Sequence, residues 1–224
     1  MKKIIGNPSK INEEIINLIK KVKINNYYLK NKKDFRDKVL EEISPDDHVV
    51  DIGMAMRDKH KEIKSSLIQT LDVNDFGDYP DIICDICSDI NGLEEKYDKI
   101  ICLAILEHVY NPFKAIENLR SMLKNNGIIY GFVPYLYKYH APMDLKYQDY
   151  FRFSKDTLAY LFKDFDDVEL FPLRGRLSSA LHMLFGNKWK KYIEKTKLNL
   201  FLDNFISDEI NFKQCSGFYF IVKK

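Results

Sequence analysis

Apolar positions in the chain alternate between two periods. In "SKINEEIINLIKKV", Ile11, Ile15, Leu18, Ile19 and Val22 recur at the spacing of one helix face, which predicts an amphipathic helix. A second helix is predicted over "DFRDKVLEEI", with "SPDD" ending it. Short β-rich runs follow: "HVVDIG", "LIQTLDV" ending at Asp72, "DIICDI" ending near Asp85, and "YDKIICLAIL", the most apolar run and the best central parallel strand. A helix or loop is expected through "RDKHKEIKSS".

"NPFKAIENLRSMLKNNG" carries strong helix punctuation. Asn111 is placed to cap it and Pro112 to open it; Phe113, Ile116, Leu119 and Leu123 form its buried stripe, and Gly127 is expected to stop it. "GIIYGFVP" then reads as a strand, "SKDTLAYLFKDF" as a helix capped by Ser154, and "DVELFPLR" and "SGFYFIVKK" as closing strands around a helical insertion near 177–205. Strands alternating with helices on short connections predict an α/β protein with a doubly wound, Rossmann-like sheet. One domain is expected over 1–224: an N-terminal helical cap (1–44), a core (45–174), a helical insertion (175–210) and a last strand (211–224).

Composition agrees with a folded globular chain. Of 224 residues, 46% are hydrophobic and 30% charged, enough apolar surface for a core and too much for wholesale disorder. No run approaches the roughly 18 apolar residues of a membrane span. The N-terminus does not read as a signal peptide, and Cys84, Cys87, Cys102 and Cys215 lack a disulfide-framework spacing, so a cytoplasmic location is the default expectation. "CDIC" has a zinc-like pair but no second pair to complete the site.

Charge is uneven although the net is only +2. Residues 1–40 hold eleven Lys/Arg against four Asp/Glu, residues 72–98 hold nine Asp/Glu against one Lys, and 174–197 is basic again. Solvated surface explains such runs, and so does a basic rim that draws in an anionic small molecule. The insertion "LSSALHMLFGNKWKKYIEKTKLNLFLDNF", with Trp189, fits packing over a site mouth, a homodimer contact, or attachment at a membrane surface.

In an open parallel sheet, ligands bind beyond the carboxyl ends of the strands. Asp51-Ile52-Gly53, Asp72, Asp85 and the Leu103–His108 run occupy those ends. Asp72 follows Asp51 by 21 residues, the spacing of an acid that takes ribose hydroxyls.

With these pieces in this order, residues 47 to 174 resemble a class I S-adenosylmethionine-dependent methyltransferase of the small-molecule (type 11) kind. "VVDIG", "LDV", "CDI" and above all "LEHVYNPFKAIENLRSMLKNNG" carry the resemblance. It implies a seven-stranded sheet of order 3-2-1-4-5-7-6, with "SGFYFIVKK" as the antiparallel seventh strand. S-adenosyl-L-methionine is the implied cofactor. Asp51 and Gly53, with Met54 and Ala55, match the loop cradling its methionine part; Asp72 and Val73 match the ribose end, Asp85 and Ile86 flank the adenine, and Leu103 matches the backbone near the methionine amino group. The family's glycine-x-glycine-x-glycine is here Gly53, Ala55 and Arg57. The cofactor has no pyrophosphate for the loop to wrap. Arg57 is free in sequence terms to turn toward the cofactor carboxylate.

The resemblance also implies an acceptor site in "PYLYKYHAPMDLKYQDYFRFS". Many bacterial members, often of sugar or polysaccharide pathways, show a similar run, here His140, Pro142 and Asp149-Tyr150-Phe151-Arg152. His140 is the expected general base, since imidazole titrates near neutral pH; Tyr135, Asp149, Tyr150 and Arg152 are the expected substrate contacts. Some relatives pair the Glu107-His108 unit with an earlier glutamate on a metal; that position is Ala104 here, so no metal is expected.

The expected activity is methyl transfer to a hydroxyl of a small molecule, such as a sugar or sugar-phosphate intermediate of bacterial surface polysaccharide. A non-catalytic methyltransferase-like binding protein with a degenerate loop is the alternative. A nucleic-acid methyltransferase is a further one, but the chain shows no recognised RNA-binding module, and no nucleic-acid partner is expected.

Overall fold

The structure, a computed structural model, describes residues 8–26, 34–142, 144, 146–195 and 198–224, without the side chains of 8–11, 186–195 and 199–200. The strands are β1 (Lys23–Ile24), β2 (His48–Ile52), β3 (Leu67–Asp72), β4 (Ile82–Ile83), β5 (Tyr97–Leu103), β6 (Leu123–Pro134), β7 (Asp167–Leu173) and β8 (Gly217–Lys223). Across the sheet they run β4-β3-β2-β5-β6-β8-β7-β1. Only β8 is antiparallel to its neighbours. The expected count of seven is therefore corrected to eight. β1 comes from the N-terminal segment assigned to a purely helical cap, and Asn25 N donates to Leu170 O at 2.9 Å to hold it on the edge.

The apolar runs follow from burial on both faces. In β2, Val49 points into one core layer and Val50 and Ile52 into the other; in β5, Ile101 and Leu103 face the first layer and Ile100 and Cys102 the second. Alternation across a pleated strand thus leaves no solvent face, which is why these strands read as continuous apolar runs. The first layer is covered by the second helix, α2 (Phe35–Glu42), whose Phe35 and Val39 are fully buried. Each large apolar side chain so buried contributes about 1.5–3 kcal/mol. The second layer is covered by α3 (Pro112–Met122) and α4 (Lys155–Leu161), and α1 (Pro8–Lys21) lies against α4. On α1, Leu18 and Ile19 are half-buried and Ile15 is exposed; the Ile11 side chain lies outside the described residues.

Caps fix where these helices start. Asp34 accepts from Arg36 N at 3.0 Å, Asn111 from Lys114 N at 3.1 Å and Ser154 from Thr157 N at 3.2 Å. The end of α3 differs from expectation. It stops at Met122 rather than Gly127, and β6 begins at once, with Leu123 paired to Tyr97 and Ile128 to Lys99. The intervening "KNNG" loops out of the ladder with Asn126 at φ 64, so Gly127 serves a strand irregularity, not a helix stop. Phe113, placed on the buried stripe, is 51% exposed and meets Tyr160 edge-on. Asn118 is buried in its stead, donating to Ile86 O and Ser88 O at 2.9 and 2.7 Å and so tying α3 to the loop after β4. β4 itself is only two residues long, and Asp85 lies beyond it in a turn.

The insertion forms α5 (Arg176–Lys195), α6 (Leu198–Asp203) and α7 (Asp208–Lys213). Buried Asp203 accepts from Gly175 N at 2.7 Å, Ser178 N at 3.1 Å and Ser178 Oγ at 2.5 Å, anchoring the start of α5. Trp189 and the lysines of 188–197 lie outside the described side chains, as do the lysines of 1–11 and 27–33.

Candidate functional site

A cavity of about 670 Å³ opens at the carboxyl ends of β2 to β5. Its floor is the turn after β2. Gly53 takes φ +75, and a Cβ there would fall 2.1 Å from Ile105 Cδ1. Met54 also takes a left-handed φ of 67, strain that a non-glycine residue carries only where the surroundings impose it. Both line the cavity. What imposes the turn is Asp51: fully buried, its Oδ2 accepts from Met56 N at 3.1 Å and sits 2.7 Å from His60 Nε2. Burial raises the Asp51 carboxyl above its ordinary value, and the His60 contact offsets part of that. His60 stands on a 3-10 turn, Arg57–Glu62, where a helix or loop was expected.

Ala55 and Arg57 do not line the cavity. Ala55 packs on the core layer under α2, and exposed Arg57 lies over the Tyr79 ring, 5.6 Å from its centroid. Arg57, expected to turn toward a cofactor carboxylate, thus lies against Tyr79 outside the cavity lining.

The opposite wall comes from the next two strand ends. Asp72 and Val73 line it, with Asp72 Oδ1 accepting from Asn74 N at 2.9 Å. Beyond them Phe76, Ile86 and Tyr110 give apolar surface, and Asp85 accepts from Cys87 N at 2.8 Å and Tyr110 OH at 3.1 Å. Cys84 lines the same wall, and Cys87 is buried beside it. At the end of β5, Leu103 turns into the core layer, and the next residue, Ala104, reaches the cavity at φ 57. Of the expected cofactor contacts, Gly53, Met54, Asp72, Val73, Asp85 and Ile86 line this one cavity, whereas Asp51 and Leu103 lie behind its lining.

The far end of the cavity is closed by His108, His140, Lys146, Tyr147, Gln148 and Tyr150. Among the expected acceptor contacts, His140 and Tyr150 are there; Tyr135, Asp149 and Arg152 are not. Tyr135 packs on the core. Arg152 forms a two-pronged pair with Asp149 and donates to the carbonyls of Tyr137 (3.2 Å), Lys138 (2.9 Å) and Phe151 (2.8 Å). The guanidinium holds the Asp149 carboxyl down at about 2. Asp149 then accepts from His140 N at 2.9 Å, so the pair is a clamp that shapes the loop. Behind the loop, the His182 ring of α5 lies tilted against Tyr137, centroids 5.2 Å apart. Among the described residues, none of the insertion lines the cavity, and its His182 lies beside this loop.

His140 and His108 both face Glu107, whose buried carboxylate lies 3.6 Å from His140 Nε2 and 3.8 Å from His108 Nε2. Glu107 and Asp149 raise the His140 imidazole above its ordinary value. Phe76, Tyr110 and Lys146 carry no site signal of their own in the sequence, whereas Tyr147 lies in the segment expected to hold the acceptor.

No family model matches the chain. Over 36 residues it is 44% identical to a ubiquinone biosynthesis O-methyltransferase of Histophilus somni, covering 16% of this chain and 15% of that protein. The protein of the same name from Glaesserella parasuis is 42% identical over 36 residues, again 15% of its length. The chain thus spans about one seventh of the curated relatives it matches. Among solved structures, a SAM-dependent methyltransferase from Archaeoglobus fulgidus superposes with TM-score 0.53 and 14% identity, over 97% of this chain and 100% of that one. An S-adenosylmethionine-dependent methyltransferase from Mesorhizobium loti gives 0.51 and 13%, over 84% and 95%. At such identities it is the fold that is shared: the chain has the fold of these methyltransferases.

Proposed function

We propose that the chain is an S-adenosylmethionine-dependent methyltransferase acting on a hydroxyl of a small molecule. The observation that carries this reading is the meeting of Gly53, Met54, Asp72, Asp85 and Ile86 around one cavity at the carboxyl edge of the sheet. The volume, about 670 Å³, suits a nucleoside with an amino-acid arm plus part of an acceptor. When bound, the cofactor supplies an electrophilic sulfonium methyl group.

The chain's own residues supply placement. The Asp72 carboxylate accepts from ribose hydroxyls, Val73, Phe76 and Ile86 offer apolar faces to a purine, and the Gly53–Met54 turn presents backbone to the amino-acid arm. At the other end, Tyr147 and Tyr150 flank the acceptor, and His140 is the group placed to manage its proton. Positioning of this kind accounts for much of the rate in a displacement that needs in-line alignment.

Sugar hydroxyls are the proposed acceptors, on the resemblance of the His140, Pro142 and Asp149–Arg152 run to sugar-pathway members. The matched O-methyltransferases also support oxygen as the acceptor atom. Lys146, at the cavity wall and paired with Asp144 at 3.3 Å, is a cation within reach of an anionic acceptor. The non-catalytic alternative draws on the displaced Ala55 and Arg57. Incubation with methyl-labelled cofactor and a panel of sugars, sugar phosphates and phenols tests the proposal. Label is expected in one acceptor class and is expected to vanish in Asp72→Ala. Cofactor bound without transfer to any acceptor would favour the binding-protein reading.

A further inference from the structure

We propose that Glu107, His108 and His140 form a divalent transition-metal site at the acceptor end of the cavity. The inference deepens the methyltransferase reading and rests on it for its use, though not for its geometry. The three donor atoms lie within 4.8 Å of one another. Glu107 Oε1 stands 3.6 Å from His140 Nε2 and 3.8 Å from His108 Nε2. Ligands about 2.0–2.2 Å from one ion stand roughly 3–3.6 Å apart, so a small inward shift completes the site.

Two independent features point to an ion and not to chance proximity. First, both Glu107 carboxylate oxygens are buried and without a hydrogen-bond partner, and the side chain is 1% exposed. A buried carboxylate in that state is costly unless a cation meets it. The nearest guanidinium, Arg152, is committed to Asp149 and three backbone carbonyls. Second, each imidazole is held from behind through Nδ1. His108 Nδ1 lies 2.5 Å from Gln148 O, and His140 Nδ1 lies 3.2 Å from Asp149 Oδ2 and 3.3 Å from Lys138 O. An acceptor at Nδ1 keeps a proton there, so an imidazole that gives up its Nε2 proton turns that lone pair into the space beside Glu107, the arrangement that orients metal-ligating histidines.

Two imidazoles and one carboxylate suit zinc, manganese or ferrous iron better than calcium or magnesium. Three protein ligands on one side leave the positions toward the cavity open to water or to acceptor oxygens. With the ion bound, an acceptor hydroxyl on it loses its proton to water more readily, and His140, its Nε2 lone pair committed to the ion, serves there as a ligand and no longer as the base. Sequence alone argued against a metal because Ala104 stands where some relatives have a glutamate. The loop after β6 brings His140 in from another direction.

Titration of the metal-stripped full chain with Co²⁺ alone, read by visible d–d absorption and by calorimetry, tests the site. One ion per chain is expected, displaced by Zn²⁺, with affinity reduced roughly ten-fold or more in Glu107→Gln and in His140→Ala. Because Glu107 is buried, the partly exposed His140 provides the variant that spares the fold, and S-adenosylhomocysteine binding reports that each variant is folded. No saturable binding in protein that still binds S-adenosylhomocysteine, or binding unchanged in His140→Ala, overturns the metal site and leaves the methyltransferase reading standing. Metal binding at these residues without S-adenosylhomocysteine binding sustains the site and fails the methyltransferase reading.

Discussion

His60 Nε2 sits 2.7 Å from the buried Asp51 Oδ2, and this contact closes the turn that in related folds is rich in glycine. Met54 adopts a left-handed φ and Met56 N donates to the same carboxylate oxygen, so the turn is held by polar contacts at its base. Removing the imidazole leaves Asp51 with one backbone donor in the core. His60→Ala is expected to cost about 1–3 kcal/mol in urea unfolding. In Asp51→Asn the same change should cost less, because the stranded charge is gone, and equal costs in the two backgrounds would show that the residues act independently.

Gly53→Ala places a methyl group 2.1 Å from Ile105 Cδ1 at a φ of +75. Clash and backbone strain act together, and a loss of about 1–3 kcal/mol is expected. Cofactor affinity should fall with it, because Met54 is carried by the same turn. Calorimetry of the variant with S-adenosylhomocysteine checks this; wild-type affinity would place the ligand away from the turn.

The end of β3 is held by a different clasp. Thr70 N and Oγ1 donate to Asp81 Oδ2 at 2.8 and 2.7 Å, and Asp81 N donates back to Thr70 Oγ1 at 3.0 Å. These Thr70 hydrogen bonds hold the Asp81 carboxyl below its ordinary value. A depressed carboxyl stabilises the fold above its unfolded-state value, and that stability is lost as pH falls through the folded-state value. The stability gap between wild type and Asp81→Asn should therefore narrow on acidification from about pH 5 to about pH 3. Urea unfolding at each pH measures the gap; a constant gap contradicts the clasp.

The parts legible in sequence were those with local causes. Helix caps at Asn111 and Ser154 and the two-sided burial of β2 and β5 follow from side chains adjacent in the chain. The cavity lining was legible because Asp72 ends β3 and Asp85 follows β4 by two residues. What sequence could not show depends on contacts between distant segments. β1 pairs with β7 only after the chain has crossed the sheet. Arg152 is drawn to Asp149 and nearby carbonyls, outside the cavity lining, and Arg57 finds the Tyr79 ring. The meeting of His140 with Glu107 across 33 residues has no periodic signature at all.

Asp72 bears most directly on the cofactor reading. Its carboxylate lines the cavity, and its removal leaves the β3 ladder intact. Asp72→Ala is expected to weaken S-adenosylhomocysteine by roughly 10- to 100-fold, the worth of hydrogen bonds to a charged group, with little change in unfolding.

Calorimetric titration of the wild-type chain with S-adenosylhomocysteine, beside Asp72→Ala, is the decisive measurement. One site per chain with a micromolar dissociation constant, weakened in the variant, is the predicted result. No heat and no thermal shift at about millimolar ligand in the wild type, or equal affinity in the variant, would contradict the cofactor site described above.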